Sequence, residues 1–476
     1  MAHILLLTDR DWTHPQGGGT GANLFGQVIH WLEWGHRVTV VAGTYDGAEP
    51  VSRPAPGLEL HRMGSRITVF PRAAWAVRRG LARDADVVLE VVNGIAFFTP
   101  LWLGGKPRVT LVHHIHRDHY VTELGRIGRV AAFALETAPL KLLYSGGSPF
   151  LTISEAAKAD IVATGVPAQD VHVGYLGVVP LETDAPRSAT PRLLYLGRLK
   201  KYKRVELLLD VLEALPEAVL DVAGDGDHRP ELEAEIARRG LQDRVVLHGH
   251  VSEAMKAQLY AQAWVNVTAS SAEGWCLTVM EAATLGTPSV ALRVGGLQES
   301  IVDGETGLLA DDAPGLVAAV ARVVREPGLR DRFGAAARER ASTFTWERTA
   351  RETLDVLEAA RVREPVKLRT VLSRSATLKA VGMAAATMAN NALAVVFTVL
   401  FARLLGAEDY GSLAALVSTF VILAVPGSAL QVAVAREVAL GRMAVAETLA
   451  VWRRRLLVGG AAVTAAAYCC ASRSRS

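Results

Sequence analysis

Two glutamates eight positions apart, Glu273 and Glu281, are of a residue type and spacing that could bind a polar ligand. The apolar run before them, residues 264–268, predicts a short buried strand. Residues 277–285 predict a helix that stops at a Gly-Thr-Pro turn. Glu273 is therefore predicted to lie on the loop between strand and helix, and Glu281 in the early part of the helix.

This position in an α/β protein suggests a ligand. In an open α/β sheet, ligands bind beyond the carboxyl ends of the strands, where the N–H groups of helix N-termini favour anions. Carboxylates beside such a site can accept hydrogen bonds from the hydroxyls of a sugar. For the pair taken alone, two solvated glutamates are the simpler interpretation, because the helix dipole favours acidic residues near a helix start.

Three turns follow the two glutamates in a fixed order. A Gly-Thr-Pro turn at 286–288 leads into a predicted strand, a second turn contains Gly295 and Gly296, and a third spans residues 303–309. Together with the Glu-x7-Glu spacing, this series resembles the donor half of a retaining glycosyltransferase of family 4. The resemblance implies the GT-B fold, an α/β arrangement of two Rossmann-like domains that face a cleft.

This resemblance implies specific roles for the segment from Glu273 to Glu281. Glu273 is expected to hold hydroxyls of the donor sugar, and Glu281 is expected to hold those of the ribose. The residues between them that are expected to line the donor site are Gly274, Trp275, Cys276 and Leu277.

A basic cluster opens the second half of the chain. After a predicted strand come Gly197 and Arg198, and Lys203 then precedes a predicted helix. A glycine turn and two cations beside a helix N-terminus suit a diphosphate, although a solvated basic loop has the same composition. The Gly-Arg-x4-Lys spacing resembles the family pattern, which implies that both cations stabilise the departing nucleoside diphosphate. The family usually has glycine where this chain has Arg204.

Glycine-rich turns follow two other predicted strands. Gly17, Gly18 and Gly19 follow the first strand, and Gly224 and Gly226 follow a strand of the second half. Glycine lets the backbone approach a ligand closely, although a tight turn alone also explains it. The first turn lacks the G-x-G-x-x-G pattern, so a dinucleotide site is not expected. The resemblance implies that the first turn helps to hold the donor phosphates or the acceptor, and that the second lies near the nucleotide.

Three histidines and an arginine follow the predicted strand at residues 109–112. His-His-x-His on an extended segment does not place all three imidazoles on one side, so a metal site is not expected. A plain polar loop remains an alternative. In the resembled family, a histidine after this strand reaches the donor sugar. His113 matches that position best, and His114 is the one-residue alternative.

The chain divides into four predicted regions. Residues 1–180 are predicted to form an N-terminal, acceptor-side Rossmann-like domain, and residues 192–345 a C-terminal, nucleotide-sugar-binding one. A polar, proline-containing stretch joins them. Residues 346–362 are expected to form a helix that returns to the first domain. Residues 363–476 are predicted to be a helical membrane segment with two to three spans.

Composition and charge support the membrane prediction. The apolar runs 376–401 and 411–435 are long enough to cross a bilayer, and 456–470 is a marginal third span. The chain has a net charge of +3, of which residues 363–476 contribute +8, leaving −5 for the rest. The positive-inside rule places the enzyme in the cytoplasm, and nucleic acid binding is not indicated. Residues 401–411 resemble the start of a polysaccharide flippase, here truncated.

The function expected from these observations is transfer of a sugar, with retained configuration, from a UDP- or GDP-sugar. The acceptor is a saccharide or a polyprenyl-linked saccharide in cell-surface polysaccharide biosynthesis. The resemblance gives the catalytic roles to His113, Glu273, Arg198 and Lys203, and it requires neither a metal nor a cofactor. Two alternatives are the cytosolic part of a flippase, and a phosphorylase or synthase that acts on soluble sugars.

Overall fold

The computed structural model describes residues 1–145 and 148–363, which form two α/β regions, each built around its own sheet. The elements of the N-terminal region are β1 (His3–Leu7), α1 (Gly18–Glu33), β2 (Arg37–Ala42), β3 (Val51–Ala55), β4 (Leu58–Arg62), α2 (Val69–Arg78), β5 (Val87–Val92), α3 (Thr99–Trp102), β6 (Arg108–Val112), α4 (Arg117–Ala132), β7 (Phe150–Thr152), α5 (Glu155–Ala163) and β8 (Val171–Val173). Two π-helical turns, Phe133–Thr137 and Leu140–Tyr144, continue from α4.

The C-terminal region follows after residues 174–191, which contain no helix or strand. Its elements are β9 (Arg192–Leu196), α6 (Leu207–Ala214), β10 (Val219–Ala223), α7 (Arg229–Arg239), β11 (Val245–Gly249), α8 (Glu253–Gln262), β12 (Val265–Thr268), α9 (Leu277–Thr284), β13 (Ser289–Leu292), α10 (Leu297–Ser300), β14 (Gly307–Ala310), α11 (Ala313–Arg325), α12 (Pro327–Ser342) and α13 (Trp346–Val362).

Both sheets are built mainly from parallel strands. The strand order of the first sheet is β3-β4-β2-β1-β5-β6-β7-β8, in which β3 and β4 pair antiparallel and the other neighbours pair parallel. The order of the second sheet is β11-β10-β9-β12-β13-β14, with parallel pairing throughout. Parallel strands need helical crossovers that cover both faces. The predicted α/β class with two Rossmann-like domains is therefore confirmed.

Helices cover the first sheet on both faces. Ile4 and Leu6 of β1 pack in one apolar cluster with α1 and α13, whereas Leu5 and Leu7 pack in another with α2. Successive side chains of a strand point to opposite faces of its sheet. The helices α1 and α13 therefore lie on one face, and α2 lies on the other.

The last described helix, α13, packs against α1 and the strands β5 and β6 of the N-terminal region. The indole N–H of Trp31 donates to the carbonyl oxygen of Ala350 at 3.0 Å. A Cβ at Gly26 would overlap the ring of Trp346. Glycine in α1 therefore allows the start of α13 to approach closely.

The sequence predicts a turn around residues 17–21 and a start of α1 near Ala22, but the helix begins at Gly18. The predicted helix start is wrong. The prediction relied on the low intrinsic helix propensity of glycine. Tertiary packing overrides that propensity here. A Cβ at Gly21 would lie only 3.0 Å from the Cα of Trp12, so the first turns of α1 need small residues to fit against this loop.

Among the described residues, 1–145 and 148–363, no helix is both long enough and apolar enough to cross a bilayer. The predicted spans at 376–401, 411–435 and 456–470 lie outside the described residues. The resemblance to the start of a flippase at 401–411 lies outside them as well.

Candidate active site

The predicted site residues come from loops at the carboxyl ends of strands in both sheets. In the N-terminal region, Gly19 lies in the first turn of α1 and His113 follows β6. In the C-terminal region, Gly274 and Leu277 follow β12. A Cβ at Gly274 would lie 2.9 Å from the backbone oxygen of His113, and a Cβ at Gly19 would lie 3.9 Å from Leu277 Cδ1. The two sets of loops therefore face each other.

A buried ion pair lies on the C-terminal side of this cleft. The carboxylate of Glu273, on the loop between β12 and α9, pairs with the ammonium of Lys203 and accepts a hydrogen bond from Ser270 Oγ at 2.7 Å. Only 11% of the Glu273 side chain and 15% of the Lys203 side chain are exposed. Burial is the largest single influence and lowers the pKa of Lys203, but the Glu273 carboxylate, together with Tyr202, Tyr195 and Cys276, outweighs burial, so the pKa of Lys203 is raised. Lys203 thus provides a fixed positive charge.

The N-terminus of α9 lies beside this ion pair. Cys276 occupies the N-cap position with a left-handed backbone, φ +79°, which residues with a side chain rarely adopt. Burial, and secondly the carboxylate of Glu273, raises the pKa of the Cys276 thiol to about 12, so the thiol stays neutral at physiological pH. The first N–H groups of a helix have no intrahelical acceptor. This helix end, together with Lys203, can therefore bind an anion.

Arg198 follows β9 on an exposed loop. Its charge acts on Arg10, which follows β1 in the N-terminal region. Burial lowers the pKa of Arg10, Asp9 opposes this, and the charges of Arg66 and Arg198 lower it further. Arg10 is held by Asp9 Oδ2 at 2.9 Å. Cations from both regions thus share one electrostatic environment, which favours an anionic ligand. The sequence offered no signal for Arg10 beyond its position directly after a strand.

His113 is 5% exposed and lies at the end of a hydrogen-bond chain from α1. Gln27 Nε2 donates to Asn23 Oδ1 at 2.5 Å, and Asn23 Nδ2 donates to His113 Nε2 at 2.9 Å. With Nε2 as acceptor, the neutral imidazole carries its proton on Nδ1. That atom is buried and has no hydrogen-bond partner among the described residues, so it can donate to a ligand. Sequence reasoning missed Asn23 and Gln27, which lie one turn apart on α1.

The protonation of His113 leads to a prediction on stability. Burial, with a smaller contribution from His116, lowers the pKa of His113 from 6.5 to about 4. Between these values the unfolded chain binds a proton that the folded chain excludes, so stability falls as the pH falls from 6.5 toward 4. The full difference corresponds to about 3 kcal/mol. We expect His113→Gln to lose part of this acid sensitivity, measured as Tm against pH.

The matched control is His30→Gln, a partly exposed histidine of α1. It should leave the slope of Tm against pH as it is in the unchanged chain. A His113→Gln chain whose Tm differs from that of the unchanged chain by the same amount at every pH would contradict the prediction.

Glu281 lies within α9, one helical turn after Leu277. Its carboxylate accepts hydrogen bonds from Lys256 Nζ at 2.8 Å and from the hydroxyl of Tyr260 at 3.0 Å. Both donors lie on α8. Only 20% of the Glu281 side chain is exposed. Because each carboxylate oxygen has two acceptor positions, Glu281 can still accept further hydrogen bonds from a ligand.

The side chain of Trp275 is 1% exposed and does not line the cleft. It packs with the rings of Tyr175 and Phe344, at centroid distances of 4.8 and 5.1 Å. Along the chain, Tyr175 precedes the second sheet and Phe344 follows it. The side chain of Trp275 therefore belongs to the packing between the regions. At residue 275, only the backbone atoms are available to a bound sugar donor.

Packing of two loops explains Gly224 and Gly226 without a ligand. A Cβ at Gly224 would overlap the backbone oxygen of Gly197, and a Cβ at Gly226 would overlap that of Leu199. The loops after β9 and β10 therefore lie directly against each other. Glycine at these positions keeps Gly197 and the neighbouring Arg198 in place.

Arg204 replaces the glycine that is usual in the resembled family, and it adopts a left-handed backbone with φ +49°. This conformation costs a residue with a side chain about 1 kcal/mol relative to glycine. The guanidinium donates to the backbone oxygens of Ala269 at 3.0 Å and Ser270 at 3.4 Å. Arg204 thus ties the Lys203 loop to the loop that carries Glu273.

A carboxylate without a predicted role, Glu299 of α10, joins the two regions. It accepts hydrogen bonds from the backbone N–H groups of Glu155 and Ala156 at the start of α5, each at 2.8 Å. It also accepts one from the hydroxyl of Tyr175 at 2.9 Å. Burial, and then this hydrogen bond, raises the pKa of Tyr175 to about 12. Glu299 therefore caps a helix of the opposite region and links the two regions.

We expect Glu299→Ala to weaken this link between the two regions, because the cap and the Tyr175 hydrogen bond are both lost. The cost is about 1–3 kcal/mol, typical of hydrogen bonds to a charged group. The radius of gyration from small-angle scattering should rise, and donor KM should increase more than kcat falls. Glu305→Ala, on an exposed turn of the same region, is the control. Unchanged scattering and KM for Glu299→Ala would contradict the role of Glu299.

Two family models match the described part of the chain. Residues 17–180 match the family described as Glycosyltransferase Family 4, and residues 184–340 match the one described as Glycosyl transferases group 1. The junction between the matches falls between β8 and β9.

Curated relatives are similar over part of their length. The D-inositol 3-phosphate glycosyltransferase of Xylanimonas cellulosilytica is 36% identical over 185 residues, which are 37% of this chain and 44% of the relative. The glycogen synthase of Mycobacterium tuberculosis is 33% identical over 189 residues, 38% and 46% of the two chains. The alpha-D-kanosaminyltransferase of Streptomyces kanamyceticus is 28% identical over 51% of this chain and 68% of its own. The chain thus spans less than half the length of the first two relatives.

Solved structures match more of the chain at lower identity. The sucrose-phosphate synthase from Thermosynechococcus elongatus has a TM-score of 0.66 at 20% identity, covering 75% of this chain and 99% of its own. Anabaena HepE, in complex with UDP and glucose, has a TM-score of 0.58 at 18% identity, covering 75% and 100%. These likenesses show the fold. The chain therefore carries the two domains of a group 1, family 4-like glycosyltransferase with the GT-B fold.

Proposed function

We propose that this chain transfers a sugar from a nucleoside-diphosphate sugar to a hydroxyl of a saccharide or lipid-linked acceptor, with retained anomeric configuration. The observation that carries the proposal is the buried pair of Lys203 and Glu273 at the start of α9, opposite His113 of the other domain. A fixed cation with a helix N-terminus suits a diphosphate, and a carboxylate suits sugar hydroxyls. Both face His113, whose buried Nδ1 has no hydrogen-bond partner among the described residues.

Each residue has a defined part in the proposed reaction. As the bond between the anomeric carbon and the diphosphate oxygen breaks, negative charge grows on the leaving group. Lys203, Arg198 and the first N–H groups of α9 stabilise that charge, so the proposal requires no metal ion. An acceptor hydroxyl forms the new bond on the face that the leaving group vacates, and its proton passes to the departing diphosphate oxygen. Attack on this face preserves the configuration.

The carboxylates and the histidine orient the donor. Glu273 accepts hydrogen bonds from sugar hydroxyls, and Glu281 accepts them from the ribose. His113 donates from Nδ1 to an oxygen of the sugar. These assignments place the non-reacting part of the donor on α8 and α9, and the reacting sugar between the domains.

We also propose that the acceptor is lipid-linked and that residues 363–476 anchor the enzyme on the cytoplasmic side of the membrane. The support is the length of the apolar runs and the charge of +8 over these residues. This assignment places the enzyme in cell-surface polysaccharide biosynthesis.

The full chain, purified in detergent, tests the activity. UDP- and GDP-sugars are first screened for an increase in Tm, and the sugar that binds is then offered with saccharide acceptors. The anomeric coupling constant of the product, measured by NMR, should show the configuration of the donor. An inverted product, or no turnover of any stabilising donor, would reject the proposal.

The flippase alternative makes a different prediction for the enzyme domains alone. If residues 1–362 are only an appendage to a transporter, they should bind no nucleotide sugar and hydrolyse none. Donor hydrolysis by this fragment, with product release followed by chromatography, would decide for the enzyme.

A further inference from the structure

We propose that the C-terminal domain has a second anion site, separate from the cleft, which binds the phosphoryl group of a dissolved ligand. This arginine site is formed by Arg187, in the segment that joins the two domains, and by Arg330 and Arg338 of α12. It lies around the two chain segments that lead into β12 and β13. Neither the site nor its test depends on the proposed sugar transfer.

The guanidinium of Arg187 joins these two segments. It donates to the backbone oxygen of Ala263, just before β12, and to that of Gly286, just before β13, the latter at 3.1 Å. It also donates to Thr287 Oγ1 at 3.2 Å. All three acceptors are neutral, so they fix the position of the guanidinium and leave its positive charge uncompensated.

One side of α12 faces the segment that leads into β13. Arg330 and Arg338 are eight positions apart on α12, which places them on the same side of the helix. Gly334 lies between them on this side, and a Cβ there would overlap the backbone oxygen of Gly286. Arg338 Nη2 donates to the backbone oxygen of Leu285 at 2.9 Å. Both arginines of α12 therefore lie beside this segment.

The guanidinium of Arg330 is largely buried and poorly paired. It lies 4.0 Å from the centroid of the Trp264 ring, and the indole N–H of Trp264 donates to the backbone oxygen of Ser188, next to Arg187. The Nε and Nη1 atoms of Arg330 are buried and have no hydrogen-bond partner among the described residues. Its Nε lies 3.9 Å from a carboxylate oxygen of Asp331, whose side chain is 78% exposed. Since a buried donor without an acceptor is unfavourable, this group favours an anion beside it.

The three cations share one electrostatic environment. Burial, and secondly the charge of Arg330, lowers the pKa of Arg187; Asp331 opposes this, and Arg338 lowers the pKa further. Three guanidinium groups and one carboxylate leave an excess of two positive charges. A phosphoryl group carries close to two negative charges near pH 7, and planar guanidinium groups bind its oxygens in pairs. The arrangement therefore suits a phosphoryl group in both charge and geometry.

The arginine site is separate from the candidate active site. Ala263 and Trp264 precede β12, whereas Glu273 follows it. The strand has four residues, so its two ends are about 13 Å apart. Because Arg187 belongs to the segment that joins the domains, an anion bound here would also hold this segment against the C-terminal domain.

The test is thermal unfolding of the full chain in detergent without anionic lipid, with inorganic phosphate or with NaCl at the same ionic strength. At a phosphate concentration ten times the Kd, the bound anion should raise the Tm by about 3 °C. Phosphate also stabilises folded proteins because it is excluded from their surface, but that contribution does not saturate and is equal in all variants. The saturable part of the rise therefore measures binding of dissolved phosphate, because no anionic headgroup is present.

Arg338→Gln should weaken phosphate binding by at least about tenfold, because a charge-assisted hydrogen bond is lost. Arg338 is exposed, so this variant should still fold. Arg330→Met should have the same effect, since it removes the charge and keeps an unbranched side chain against Trp264. The matched control is Arg332→Gln, an exposed arginine on a different side of α12, which should keep the full saturable response.

Three results would overturn the inference. One is an equal response in the unchanged chain and in Arg338→Gln, which would mean that surface exclusion alone acts and that water hydrates Arg330. Another is an equal loss of the response in Arg332→Gln, which would reduce the effect to general surface charge. The third is a response that Arg198→Ala loses and Arg338→Gln keeps, which would place the phosphate in the cleft. Sugar transfer is not part of the readout, so failure of the proposed function would not be mistaken for failure of this site.

Discussion

Lys203→Ala is expected to lower kcat by at least about 10²-fold, the typical loss when one preorganised charge for the transition state is removed. The ammonium is fixed by Glu273 beside the start of α9, where the departing diphosphate gains charge. Arg198→Ala should lower kcat in the same direction. Its guanidinium lies on an exposed loop, and its charge acts on Arg10 of the other domain.

The two variants differ in their effect on stability, which separates folding from catalysis. Lys203→Ala leaves the largely buried carboxylate of Glu273 without its cation, a change that costs about 3 kcal/mol or more. Arg198→Ala removes no ion pair with the described residues and should leave the Tm nearly unchanged. Steady-state kinetics are therefore measured below the Tm of both variants. Lys201→Ala, an exposed neighbour, is the matched control. Near-normal kcat in both test variants would reject the assignment of the diphosphate site.

The second large effect is expected for the two glutamates, and its form separates their roles. Glu273→Gln should mainly lower kcat. It weakens the hold on sugar hydroxyls where positive charge develops, and it releases Lys203 from its partner. Glu281→Gln should mainly raise donor KM. The ribose does not react, so its contacts are similar in the ground and transition states.

The contacts of Glu281 in the structure make the comparison of the two glutamates more specific. Glu281 pairs with Lys256 and Tyr260 of its own domain, so Glu281→Gln keeps the side-chain size and changes the charge at a site away from the ion pair. Tyr260→Phe is a useful control, because it removes one hydrogen bond to Glu281 and leaves its charge. Steady-state kinetics with a saturable donor distinguish the outcomes. If Glu281→Gln abolishes turnover with intact donor affinity, while Glu273→Gln only weakens binding, the two assignments are reversed.

Several elements could be predicted from the sequence because their signal is local. The apolar strands, such as β1 and β5, read as continuous buried runs, as expected for parallel strands covered on both faces. The position of Glu273 on a strand-to-helix loop followed from the apolar run before it and the helical pattern after it. The ordered glycine turns identified the family. The local sequence pattern gives a wrong prediction at the start of α1. The glycines there predict a turn, but tertiary packing imposes a helix.

The sequence by itself thus determined the α/β class, the order of the two domains, the loops that carry Arg198, Lys203 and Glu273, and the helix that carries Glu281. These features depend on residue type and on spacings of a few positions, which fix the local backbone. The sequence also determined the charge asymmetry between residues 1–362 and 363–476, since charge is additive along the chain.

The tertiary structure alone decided which side chains complete the site. Asn23 lies 90 positions from His113, yet it sets the imidazole tautomer. Glu299 caps a helix that begins 144 positions earlier. Arg10 shares its environment with Arg198 of the other domain. No spacing rule connects such pairs, because their contact depends on how two sheets and their covering helices pack. The arrangement of side chains in this cleft therefore depends on the tertiary structure, in which residues distant in sequence come into contact.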